Sequence, residues 1–244
     1  MAAEVTIASS EFVNDVRASL AAWSKVPLLP IVTACLAAIT TVATNVSGPW
    51  VLVGGLVAVP VGAISLGWLG TQFVWYRAAF HGHTLGAGEL VKLTWSFIAR
   101  YVRLYFLMLI PLFGVVFVSV FWRTWTSASP GWRIGGLAYS LVLSTVVTFV
   151  NPALAFSTRR VTKAVPIGLR MVAQGWPGNW TYVVVPGIVA ALGGGLYWLV
   201  PSAGRPASLI VTTVITLVFA GAIARYYLRC PLAPGGQDVP PSPN

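Results

Sequence analysis

His81, His83 and Glu89 come closest, by type and spacing, to a reactive site. Two imidazoles and a carboxylate can hold zinc and leave one position open for water. The two histidines, however, flank Gly82 in a glycine-rich stretch, and no cysteine or second carboxylate accompanies them. A turn leading into a helix explains the segment better, with Glu89 well placed in the first turn. The run from His81 to Gly88 has the glycines of a phosphate loop. It lacks the Lys-Ser or Lys-Thr that would reach phosphate and magnesium. No nucleophile elbow, His-Glu motif or aspartate pair occurs. The expectation is a protein with no catalytic residues, no metal and no cofactor.

A second kind of chemistry rests on backbone. In Asn151-Pro152 the proline removes a helix hydrogen bond and frees a carbonyl, and an asparagine amide stands beside it. Gly193-Gly194-Gly195 can mark another opening. Together they suggest a solute site of the broken-helix kind. Against this, Gly187, Ala191 and Gly195 recur every four residues, the spacing that lets a neighbouring helix pack closely.

The third kind is electrostatic. The chain carries 15 Lys and Arg against 5 Asp and Glu, a net charge of +10. Lys92, Arg100 and Arg103 form one group, and Arg159, Arg160, Lys163 and Arg170 another. They are dispersed among apolar residues and show no nucleic-acid recognition motif, so nucleic acid is not an expected partner. Anionic lipid headgroups are, at about 1 kcal/mol for each Lys or Arg close to the surface.

The elements that carry these residues are set by composition. Of 244 residues 57% are hydrophobic and 8% charged, where a soluble domain has roughly 25% charged. Mean hydropathy is +0.82. Too few polar residues remain to cover a water-facing surface, so most of that surface must face lipid. Crossing a hydrocarbon core of about 30 Å takes about 20 helical residues. Apolar runs of that size stand at 27–46, 50–76, 104–122, 134–156, 181–200 and 207–228, none with Asp or Glu. Barrel strands would alternate apolar and polar residues, and these runs are apolar all round.

Six spans put 12 of the 15 basic residues on the side of the N-terminus, leaving Arg123, Arg133 and Arg205 opposite. Positive residues stay in the cytoplasm, so both termini are expected inside a multi-pass protein of the cell membrane. Trp and Tyr cluster at the span ends, among them Trp122 and Trp125 outside and Trp75, Tyr76, Tyr182, Tyr226 and Tyr227 inside, as two interfacial girdles. The first 26 residues lack the short apolar core and cleavage site of a signal peptide. Cys35 and Cys230 suit neither a disulfide nor a metal cluster. The expected organisation is an amphipathic cytoplasmic segment at 1–26, a transmembrane domain at 27–228 and a proline-rich disordered tail at 229–244.

The spans read as three hairpins starting near Pro27, Leu104 and Thr181, each preceded by an amphipathic stretch on the inside. Phe12, Val16, Leu20 and Trp23 share one spacing with Leu90, Thr94, Ile98 and Tyr101, and with Val161, Val165, Leu169 and Val172. Each set falls on one helix face. Such helices can lie in the headgroup region, basic side toward anionic lipid, or pack under the bundle as ordinary helices. Pro166 is expected to kink or divide the third.

The arrangement resembles a broad group of bacterial six-span membrane proteins of unknown function, which includes the membrane domain fused to some glycerophosphodiester phosphodiesterases. The residues that carry the resemblance are Thr158-Arg159-Arg160-Val161-Thr162-Lys163-Ala164, then Gly175-Trp176 and a new span, together with Trp75-Tyr76-Arg77-Ala78-Ala79. The resemblance implies a fold. The phosphodiesterase domain itself is absent, so its activity does not transfer.

The functional expectation is a non-catalytic membrane protein that binds lipid, or supports a membrane complex, through its basic inner face. Membrane lipids, a membrane-protein partner or further copies of the chain are the partners this implies. The alternative is a transporter or permease component built on Asn151-Pro152, although ion-coupled carriers usually keep Asp, Glu or His within a span.

Overall fold

A computed structural model describes residues 2–25, 27–44, 51–123, 131–199 and 205–233. The connections near Ser127 and Ser202, expected outside, and the tail beyond Ala233 lie outside the described residues. Within them the secondary structure is helical throughout: α1 Ala2–Lys25, α2 Leu28–Thr44, α3 Val51–Phe80, α4 Ala87–Arg123, α5 Gly131–Phe156, α6 Val161–Gly175, α7 Trp180–Leu199 and α8 Arg205–Arg229.

Among the described residues two helices are long and apolar enough to cross a membrane, Leu52–Phe80 and Ile210–Arg229. A third is reached if Ser10–Lys25 and Leu28–Ala43, bent by 93° at their junction, count as one span. Ser144–Phe156 and Trp180–Val189 are shorter apolar helices.

Sequence explains where helices break. Pro27 stands at the bend between α1 and α2, and Pro177-Gly178 separates α6 from α7. Between Ala99 and Leu104 there is no such residue, so the second amphipathic stretch and the following apolar run form one unbroken helix. At 37 residues α4 is about 55 Å long, well beyond a hydrocarbon core of about 30 Å. Its first half is therefore continuous with the second and is not a separate helix. The third stretch, α6, runs through Pro166 as a single helix.

Two glycine sites fix the packing of α3 on α4. A Cβ at Gly67 would stand 2.5 Å from the Thr94 carbonyl oxygen, and one at Gly70 would stand 2.5 Å from the Phe97 ring. Helix α8 runs through the middle of the bundle, against α1, α2, α3, α5 and α7.

Tyrosine hydroxyls carry polar ties between the helices. Tyr76 donates to the Leu217 carbonyl at 2.9 Å and accepts from Trp23 Nε1 at 2.7 Å, joining α3 to α8 and α1. Tyr101 donates to the Asn151 carbonyl at 2.9 Å, and Tyr227 shares a 2.7 Å hydrogen bond with Ser157. Trp75, Tyr76, Tyr182 and Tyr227, expected in a lipid-facing girdle, are buried between helices. A ring that fills space and brings its own donor serves there as well as at an interface.

Candidate functional site

The segment around the histidines is explained by its helix ends. Gly82, at φ +75°, closes α3: its N–H meets the Ala79 carbonyl and that of His83 meets the Ala78 carbonyl. This is the paired C-terminal cap that favours glycine in the left-handed region. His81 Nδ1 lies 2.7 Å from the Arg77 carbonyl. Glu89 Oε2 accepts the Gly86 N–H at 2.9 Å, as a third-position glutamate does at a helix start. Among the described residues no three His, Cys, Asp or Glu side chains gather as a metal site. Cys35 and Cys230 are both free.

One cation of each basic group lies near the other. Lys92, Arg103, Arg159, Arg160, Lys163 and Arg170 are exposed, and Arg100 is half-buried against the face of Phe97, 4.8 Å from its centroid. Burial, and then the charge of Arg159, lower the Arg100 pKa. Cations from α4 and from the start of α6 thus lie within reach of each other's field. Among the described residues no carboxylate forms an ion pair with any of the seven.

Helix α6 presents its residues in sectors. Ala164, Gly168 and Met171 are buried against α5. A Cβ on Gly168 would come within 2.7 Å of the Val150 backbone nitrogen. This face is turned roughly 90° from the expected Val161, Val165, Leu169, Val172 stripe, at about 100° per residue. Leu169, 44% exposed, is left as an apolar edge beside the contact, with Lys163 and Arg170 beyond it.

Helix α1 is rotated in the same sense. Phe12, Asp15, Ser19 and Ala22 are buried, while Leu20 of the expected stripe is exposed. The Asp15 carboxylate accepts from the Tyr182 hydroxyl at 2.6 Å and from Arg229, and Arg225 Nε lies 3.5 Å away. Counting residues by hydropathy gives no signal for this node, because it places an aspartate outward. The pairing of Arg225 with Arg229, one turn apart, is its only trace in the sequence.

Asn151 and Pro152 lie inside α5, which continues through them. Asn151 Oδ1 is buried without a hydrogen-bond partner, while its carbonyl receives Tyr101. Gly193-Gly194-Gly195 are helical in α7, their side-chain surroundings outside the described residues.

An apolar cavity of about 330 Å³ opens between α2, α3 and the first half of α4. Leu28, Val32 and Leu36 of α2, Ile64 and Trp68 of α3, and Val91, Thr94 and Trp95 of α4 line it. Its polar groups are already used: Trp68 Nε1 donates to Thr33 Oγ1 at 2.8 Å, and the Thr94 hydroxyl bonds to the Leu90 carbonyl and to Thr71.

No protein-family model, curated protein or solved structure matches the chain.

Proposed function

We propose that this chain is a non-catalytic six-span membrane protein, both termini in the cytoplasm, whose basic inner face holds anionic lipid headgroups. The observation that carries the reading is the nearness of Arg100 and Arg159 at an exposed surface, with no described carboxylate paired to any of the seven cations. Like charges gathered without counter-charge are stabilised by an external anion, and the apolar edge at Leu169 sets that surface against hydrocarbon. The distribution of basic residues supports the orientation. A six-span arrangement is also what the likeness to the bacterial membrane proteins implies.

Changing Arg159, Arg160, Lys163 and Arg170 together to Gln should lower co-purified phosphatidylglycerol relative to phosphatidylcholine about tenfold or more, from about 1 kcal/mol for each charge. Insertion is checked first, with reporters after Asn244, expected inside, and at Ser127 and Ser202, expected outside. Unchanged lipid in a correctly inserted variant would remove the headgroup role.

A second reading, a carrier component, rests on Asn151, whose buried Oδ1 is unsatisfied. It requires Asn151→Leu to abolish uptake of a solute while leaving lipid retention intact.

A further inference from the structure

We infer that the cavity between α2, α3 and α4 is a seat for one acyl chain of an inner-leaflet anionic phospholipid. This rests on the reading of the bundle as membrane-spanning, and adds a defined chain site to a diffuse headgroup surface.

The depth fits. Leu28 and Leu36 are eight residues apart, so the groove runs about 12 Å along α2. Half a hydrocarbon core is about 15 Å. The groove begins at the inner end of α2 and of α4 and runs along α3 past Trp68 to Ile64, near the middle of that helix. That is the depth range of an inner-leaflet tail.

The chemistry fits as well. With Trp68 and Thr94 both engaged inside the protein, a hydrogen-bonding solute would find no partner, whereas hydrocarbon needs none. Two exposed cations stand close in sequence to the lining, Lys25 three residues before Leu28 and Lys92 next to Val91. Glu89, one turn from Lys92, is turned to the Gly86 N–H. Trp95, 67% exposed, borders the groove, an amphipathic ring suited to the level of the headgroups.

The test uses the full chain in vesicles of phosphatidylglycerol and phosphatidylcholine, with one or the other lipid carrying a photoreactive group on its acyl chain. Phosphatidylglycerol should label segments 28–36 and 87–98 in preference to the lipid-facing Leu52, Leu56 and Val59. Val91→Trp and Ala87→Phe, both at exposed positions, should each fill the groove and cut that labelling about tenfold. Lys25→Gln with Lys92→Gln should bring phosphatidylglycerol labelling down to the phosphatidylcholine level. Labelling unchanged in the filled variants, or equal on the groove and on Leu52–Val59, overturns the site. Equal labelling by the two lipids in the unaltered chain overturns the anionic occupant. The basic-face reading fails separately: the Arg159, Arg160, Lys163, Arg170 variant would then keep its bulk lipid ratio while groove labelling persisted.

Discussion

Asp15→Ala is expected to loosen α1 from the bundle at a cost of about 3 kcal/mol, because removing one side of a buried pair strands the other. The Tyr182 hydroxyl and Arg229 would both lose their acceptor, and Arg225 its counter-charge. Asp15→Asn keeps an oxygen for Tyr182 and removes the buried charge, so it should cost little or nothing at neutral pH. Tyr182→Phe removes one hydrogen bond, worth about 1 kcal/mol. Unfolding in mild detergent gives the order, and trypsin cleavage after Arg17 and Lys25 reports whether α1 is the part released. Equal stability of Asp15→Ala and the unaltered chain would show that α1 is held by its apolar contacts alone.

Acidity supplies an independent sign. Burial raises the Asp15 carboxyl above its ordinary 3.8, outweighing the lowering by Tyr182, Arg229 and Arg225. A raised value in the folded chain means that the folded form binds the proton more tightly than the unfolded form does. The stability this contributes is full below 3.8 and is lost as pH rises through the raised value. The hold on α1 should therefore strengthen as pH falls from neutral toward 4, and Asp15→Asn should remove that dependence.

Gly221→Ala is expected to cost about 2 kcal/mol through overpacking on the same contact. A Cβ there would meet Ser19 Oγ at 2.1 Å and the Tyr76 ring at 2.6 Å. The serine side chain can rotate away, but the tyrosine is held at its hydroxyl by Trp23 and by the Leu217 carbonyl. Adding Ser19→Ala should hence recover only part of the loss. Full recovery would mean that Tyr76 shifts freely and that its hydrogen bonds do not fix the α1–α3–α8 junction.

The helices and most of their breaks were legible because their causes are local. Apolar runs, Pro27 and Pro177-Gly178 act on their own neighbourhoods, and the glycines at Gly82 and Gly86 announced helix ends. The continuity of α4 was less legible: a change from mixed to apolar composition near Leu104 suggests two elements, although no breaker stands between Ala99 and Leu104. The buried faces were less so. Hydropathy aims Leu20 and Leu169 inward, yet α1 buries Asp15 and Ser19, and α6 buries Ala164 and Gly168. A charge goes inside only where distant partners receive it, and those of Asp15 lie on α7 and α8. Small residues go inside because backbone approaches them, which depends on the partner helix. Of the candidate site, the basic residues were legible as charges, six of them exposed and Arg100 half-buried. The nearness of Arg100 and Arg159 was not, since it depends on how α4 lies against α6.

The most direct test of the basic inner face is the unfolding temperature of the purified chain as lipid is titrated into detergent. A ligand that binds only the folded form raises that temperature with concentration. Phosphatidylglycerol should raise it progressively and phosphatidylcholine much less, and the difference should vanish when Arg159, Arg160, Lys163 and Arg170 are all Gln. Equal stabilisation by the two lipids, or a preference for phosphatidylglycerol that survives the four substitutions, would contradict the account.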